Sequence, residues 1–131
     1  MSIDTIGNFL TIIRNGIMAS KPFILAPHSK MRQEIADVLK DQGFVRDVVV
    51  LDEESGHKTL KVNLKYVNGE SVIHEIKRVS TPGGRSYSSV DNLKPVIGGL
   101  GVTILSTNRG IVTQNQAKSL NVGGEVICTV W

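Results

Sequence analysis

The 131-residue sequence predicts an α+β protein made of two small α/β lobes, residues 1–80 and 81–131. Three observations predict it. Ile6, Leu10, Ile13 and Ile17 recur at helical spacing, which places them on one stripe of an amphipathic helix. Leu60, Val62, Leu64 and Tyr66 alternate with Lys61, Asn63 and Lys65, the period of a half-buried strand. Between these patterns and the last third of the chain, Ser80-Thr81-Pro82-Gly83-Gly84 can form only a bend, and the lobe boundary falls there.

In the first lobe, the opening helix runs from about Asp4 to Ser20 and is stopped by Lys21-Pro22. Its outer side carries Thr11, Arg14 and Asn15, polar groups that suit a solvated surface or contact with a phosphate or ribose. Phe23 to Ala26 is a short extended run broken by Pro27. Ser29 caps a second helix with Met31, Ile35, Val38 and Leu39 on one face and Gly43 as its stop. Lys30 lies in its first turn, where the helix dipole favours an anion, so it is a candidate phosphate contact. Phe44 to Leu51, Thr59 to Tyr66 and, after the tight turn Asn68-Gly69, Val72 to Val79 form a three-stranded meander. The lobe is thus helix, strand, helix, then strands.

The second lobe is mostly β with one short helix. Arg85 to Ser88 resumes as a short strand, Asp91 to Val96 is a connector broken by Pro95, and Gly98 opens the segment that organises the lobe. Val102 to Leu105 delivers Ser106-Thr107-Asn108 to a turn closed by Gly110, so three short polar side chains stand at the tip of a rigid element. Such a tip suits recognition better than catalysis. Thr113 and Gln116 have capping-box spacing and start a helix over Gln114 to Leu120. Asn121, Gly123 and Gly124 can take the positive φ that ends a helix, and Glu125 to Trp131 is a final strand.

Composition bounds the function. With 40% hydrophobic and 21% charged residues the chain has enough apolar material for a core, which excludes a disordered protein. No apolar run reaches the ~18 residues of a membrane span, and Met1-Ser2-Ile3-Asp4 does not open a signal peptide, so a soluble intracellular protein is expected. The net charge of +3 is unevenly spread: between Lys77 and Lys118 stand Lys77, Arg78, Arg85, Lys94, Arg109 and Lys118 against Asp91 alone. That asymmetry points weakly to an anionic partner. His28, His57, His74 and the single Cys128 have no metal-ligand spacing, and Cys128 in an apolar strand reads as an inert buried thiol. Gly98-Gly99-Leu100-Gly101 lacks a full dinucleotide fingerprint, and Ser106 lacks a nucleophile elbow. No metal, cofactor or catalytic residue is expected. A small hydrolase or transferase working through the Ser106 tip stays open as the alternative, because a fold can assemble a triad from distant positions.

The whole chain resembles the bacterial form of ribosomal protein eight of the small subunit. The resemblance is carried by Leu10-Thr11 with Arg14-Asn15-Gly16, Ser29-Lys30, Gly43-Phe44, Leu64-Lys65-Tyr66 and Ile76-Lys77-Arg78-Val79-Ser80 with Pro82-Gly83 and Arg85. It continues through Gly99-Leu100-Gly101, Leu105-Ser106-Thr107, Gly110, Thr113, Ala117 and Val122 to Cys128. Each fragment is short, and their order over nearly the full length is specific.

The resemblance implies two tightly joined α/β lobes and binding to the central domain of small-subunit ribosomal RNA early in assembly, beside neighbouring ribosomal proteins. In some bacteria the family also represses its own operon's messenger RNA. It implies an RNA surface in which Ser106 and Thr107 meet ribose and an unstacked base and Tyr87 offers a ring face or hydroxyl. Gly123 and Gly124 let RNA approach the backbone, Glu125 accepts from an amino or hydroxyl group, and Lys30, Arg14, Arg85 and Arg109 meet phosphates. Four departures bear on those contacts: Asn108 in place of a common serine, Thr5 in place of proline, Ile12 where a basic residue is common, and Gly84 where relatives carry a larger side chain. The sequence leaves a bacterial or organellar ribosome open.

Overall fold

The computed structural model describes residues 4–89 and 101–131, so the expectations for Met1 to Ile3, the connector Asp91 to Val96 and Gly98 to Leu100 lie outside the described residues. The chain is α+β and divides into two compact units, Asn8–Ile73 and Met1–Gly7 with His74–Trp131. The division falls at Ile73 and not at the Ser80 bend because residues 76–78 pair with the carboxy-terminal strand.

Helix α1 (Thr5–Met18), which belongs to the unit Asn8–Ile73 from its fourth residue on, buries Phe9, Leu10 and Ile13. It ends before Pro22: Ser20 turns left-handed (φ 53°), Ser20 N–H bonds the Ile17 carbonyl and Lys21 N–H the Gly16 carbonyl. That pair of bonds is the Schellman stop, which satisfies the last carbonyls of a helix. Helix α2 (Lys30–Asp41) starts where expected, with the Ser29 hydroxyl accepting from Arg32 N–H at 3.1 Å, and stops through Gly43 (φ 81°). Its buried face differs by one residue, for Met31 is exposed while Arg32 is buried. The Arg32 guanidinium lies over the Phe9 ring and donates to the Pro27 carbonyl, so the charge is compensated inside the unit.

The expected meander is replaced by a different sheet. Strands β1 (Phe23–Pro27), β2 (Val45–Asp52) and β3 (Lys58–Leu64) form an antiparallel sheet in the order β1-β3-β2. Pro27 belongs to β1, an edge strand, where a missing N–H breaks no ladder. The alternation of β3 is as read, Leu60, Val62 and Leu64 being buried. Asn68-Gly69 does turn a hairpin, between β4 (Tyr66–Val67) and β5 (Glu70–Ser71), but that hairpin stands apart from β3.

The other unit contains a five-stranded sheet of β6 (Ile76–Arg78), β7 (Tyr87–Ser88), β8 (Val102–Thr107), β9 (Gly110–Thr113) and β10 (Gly124–Val130). Strand β10 is central: β8 pairs with one edge, and β7 and β6 share the other. His74 precedes β6 and lies outside any strand, its ring beside Trp131. Helix α3 (Gln114–Leu120) opens with the predicted capping box, Thr113 Oγ1 accepting from Gln116 N–H and Gln116 Oε1 from Thr113 N–H. Ala117 of α3 packs on Leu105 and Val112, with Val122 and Val126 against them, so α3 covers one sheet face. Only Asn121 takes the left-handed conformation at the end of α3 (φ 54°). Gly123 and Gly124 do not, and their reason is steric. A Cβ on Gly123 would stand 2.6 Å from the Ser88 carbonyl oxygen, and one on Gly124 would overlap the Ser106 carbonyl.

Gly124→Ala must therefore push apart two bonded strands, and it is expected to lower stability by about 1–3 kcal/mol. Gly83→Ala, where a Cβ meets nothing within 4 Å, should stay within about 0.5 kcal/mol. Equal melting temperatures for the two variants would contradict this account of the glycine pair.

Candidate functional site

Strand register gathers residues that are far apart in sequence. On β10, Glu125 is the direct partner of Ser106 on β8 and of Tyr87 on β7. Residues paired across antiparallel strands share a sheet face with their Cβ atoms about 4.5–5.5 Å apart. Tyr87, Glu125 and Ser106 therefore form one row, on the face opposite Leu105 and Val126, which pack with α3. Tyr87 is 73% exposed, whereas Glu125 and Ser106 are half-buried.

Glu125 is held by the bend that separates β6 from β7. Ser80, fully buried, donates its hydroxyl to Glu125 Oε2 at 2.7 Å and accepts from Ser86 N–H at 3.1 Å. Arg85 Nη1 donates to the same Oε2 at 3.0 Å. The bend is fixed by reciprocal bonds between Thr81 and Gly84 around Pro82-Gly83. Burial opposes ionisation of Glu125, yet the Ser80 and Arg85 bonds and the charges of Arg85 and Arg78 outweigh it and hold the carboxyl below its usual value. Arg85, expected at a phosphate, thus stands against Glu125. Nothing near Ser80 in sequence marks it out, since a serine before Pro-Gly reads as an ordinary turn residue and its partner lies 45 positions away.

Beyond the row, Asn108 and Arg109 form the two-residue turn between β8 and β9, both exposed, closed by Gly110 at φ 100°. Only glycine takes that conformation without strain. Thr107 serves this turn: its hydroxyl donates to the Gly110 carbonyl at 2.9 Å and accepts from Arg109 N–H at 3.0 Å. The Ser106 hydroxyl has no such local bond among the described residues. Ser106 and Thr107, read together as tip hydroxyls, therefore differ.

The remaining candidates belong to the unit Asn8–Ile73. Thr11, Arg14 and Asn15 share an exposed stripe of α1. Lys30 is almost fully exposed in the first turn of α2, 4.0 Å from Glu34.

A second charged group steadies the sheet. Arg78 on β6 sets Nη2 3.3 Å from Asp4 Oδ1, Nε 3.4 Å from Oδ2, and donates from Nη1 to the Ile127 carbonyl at 3.0 Å. Asp4 also accepts from Gly7 N–H at 2.8 Å. Burial raises its pKa, but the Gly7 bond, the Arg78 contacts and the charge of Arg85 together bring it below the ordinary range. Cys128, buried beneath, has its thiol pushed up to about 12 by desolvation, against the small opposing effect of Arg78.

A hydrolytic reading of Ser106 needs a base beside it. His74, in the same unit, packs on Trp131 at the opposite end of β10 from Glu125, with ring centroids 5.2 Å apart. Among the described residues no cluster of histidine, cysteine and carboxylates could hold a metal, and no helix is long and apolar enough to cross a membrane. These features define a small α+β protein with a polar row across one sheet face.

The sequence model of the family Ribosomal protein S8 matches residues 4–131. The chain is 49% identical over 128 residues to small ribosomal subunit protein uS8 of Hyphomonas neptunium, covering 98% of this chain and 97% of that one. It is 48% identical to uS8 of Nitrobacter winogradskyi at the same coverage, and 46% identical to that of a Ruegeria species, covering 98% of each. The chain belongs to the ribosomal protein S8 family. It is a structural protein of the small ribosomal subunit and not an enzyme.

The lowered carboxyls of Asp4 and Glu125 bear on acid stability. A carboxyl whose folded pKa lies below its unfolded value contributes stability that is complete above the unfolded pKa and is lost as pH falls through the folded one. Asp4→Asn is expected to lower the denaturant midpoint at neutral pH and to flatten its decline through the carboxylate range. A decline as steep as in the wild type would show that Asp4 contributes nothing through its charge.

Proposed function

We propose that this chain binds the central domain of small-subunit ribosomal RNA early in assembly, and that its β-rich unit, which contains His74–Trp131, carries the recognition. The observation behind this reading is the row of Tyr87, Glu125 and Ser106 beside the exposed turn Asn108-Arg109. A-form RNA hides its base edges in a deep groove and is recognised through ribose hydroxyls, phosphates and splayed bases. An exposed tyrosine ring, short hydroxyls and one acceptor suit that surface. Ser106 contributes its hydroxyl, Thr107 shapes the turn and can offer its remaining lone pair, and Asn108 presents an amide. Gly123 and Gly124 keep the strand start free of side chains beside Glu125. Arg109, Arg14 and Lys30 meet phosphates, with Thr11 and Asn15 beside Arg14 on α1. These contacts position the RNA without reading it.

The partners that follow are the ribosomal RNA and the neighbouring small-subunit proteins, in the ribosome. A messenger RNA of the chain's own operon that presents a similar surface would occupy the same face, which is the physical basis for translational repression.

Binding of a central-domain fragment tests the reading. With Arg14, Lys30 and Arg109 each meeting a phosphate, log affinity should fall with log salt at a slope of roughly −3. Ser106→Ala should weaken binding about five- to a hundredfold and leave that slope unchanged, since it strands an RNA group without removing a charge. Lys30→Ala should lower the slope by about one contact's worth. Thr107→Ala should lower the melting temperature as well, because its hydroxyl closes the turn. Wild-type affinity in folded Ser106→Ala would remove the recognition role from this face.

A further inference from the structure

We infer that Ser80, together with Arg85, is a positioning residue of the proposed RNA face: the two hold one oxygen of Glu125 so that the other serves as acceptor for an O–H or N–H donor of RNA between Tyr87 and Ser106. The inference rests on the reading of that face given above, and adds to it a buried residue that does not touch the RNA.

The geometry fixes the direction of each bond. Ser80 is anchored to β10 by its own N–H, which bonds the Val126 carbonyl at 3.1 Å. A hydroxyl has one proton to give. Because Ser80 Oγ already accepts from Ser86 N–H, its proton is directed at Glu125 Oε2. Arg85 can only donate, and it meets the same oxygen. Two donors converge on Oε2, one of them a guanidinium, and hydrogen bonding of this kind stabilises the carboxylate over the protonated acid. Oε1 takes no hydrogen bond among the described residues. It is thus the atom left to accept.

An acceptor with no proton repels phosphate and rewards a ribose hydroxyl or an exocyclic amino group. It can therefore select a place on RNA that a lysine or arginine would not. Arg85 offsets the charge, so that an acid is tolerated beside a polyanion. Among the described residues, the charged and polar groups that face Glu125 are Ser80 and Arg85 from the bend, Tyr87 from β7 and Ser106 from β8. Arg78 on β6 reaches it by charge alone and is itself paired with Asp4.

The test measures affinity of the full chain for a central-domain RNA fragment from neutral pH down through the carboxylate range, for wild type, Ser80→Ala, Arg85→Gln and Glu125→Gln. Glu125→Gln should bind more weakly and lose the carboxylate's share of the acid sensitivity, leaving only effects that arise in the RNA. Ser80→Ala should weaken binding roughly tenfold at neutral pH. It should also move the acid-side loss of affinity to higher pH, because the carboxylate has lost a donor. Arg85→Gln, at a half-exposed position, should move it the same way and serves if Ser80→Ala does not fold. Single 2′-deoxy substitutions distinguish a ribose donor, and inosine for guanosine a base amino group. Either loss should appear in wild type and vanish in Glu125→Gln. If both positioning variants keep the wild-type pH dependence while Glu125→Gln loses it, Ser80 is only a fold residue and the inference is wrong although the face stands. If Glu125→Gln binds as wild type at every pH, the face itself has been misread.

Discussion

Strand β10 is hydrogen-bonded along both edges, and the polar face of its unit depends on that constraint. β8 occupies one edge. The other is shared in turn by β7 and β6, with Ser80 N–H and Val79 N–H bonding the Val126 and Ile127 carbonyls in the gap between them. A central strand leaves few freedoms: each side chain is assigned to a face, and a shift of one residue would send Glu125 into the apolar layer beneath α3. The irregularity between Val126 and Cys128 resets the register within the strand, where the apolar layer continues. Gly123 and Gly124 belong to the same constraint, since they let the start of β10 lie against the Ser88 and Ser106 carbonyls.

On that frame stands an acid that is costly to bury. Glu125 stays ionised because a buried hydroxyl, a neighbouring guanidinium and a second arginine more than offset its desolvation. Burial and hydrogen bonding oppose each other in the same way in the Asp4–Arg78 pair, which holds β6 to β10 through the Ile127 carbonyl. Two ion pairs of this unit, Asp4–Arg78 and Arg85–Glu125, are thus made internally, and the proposed RNA face relies on directional hydrogen bonds and on the Tyr87 ring. That balance is consistent with the modest net charge of +3.

Local chemistry was legible in the sequence. The Thr113–Gln116 box, the Ser29 cap and the alternation of β3 each involve residues within one or two turns, so spacing alone specifies them. Pairing was not legible. Phe23 to Pro27 is too short, and too marked by its proline, to declare itself a sheet partner, and residues 72–79 share the composition of the β3 region without joining its sheet. The burial of Arg32 could not be read, because nothing local shows that Phe9 and the Pro27 carbonyl wait for it. The candidate site divides in the same way. The turn at Asn108-Arg109 could be read directly, the family resemblance supplied Tyr87 and Glu125, and the Ser80 contact required a register that brings together positions 45 apart.

The central claim is that the row on β7, β10 and β8 carries RNA recognition. The most direct measurement is an amide chemical-shift map of the full chain titrated with a central-domain RNA fragment. The account predicts the largest changes at Tyr87, Ser106, Asn108, Arg109 and Glu125, persisting as salt is raised within the range where the complex survives. Changes confined to the unit Asn8–Ile73, or dispersed over the lysines and arginines and erased by salt, would contradict it.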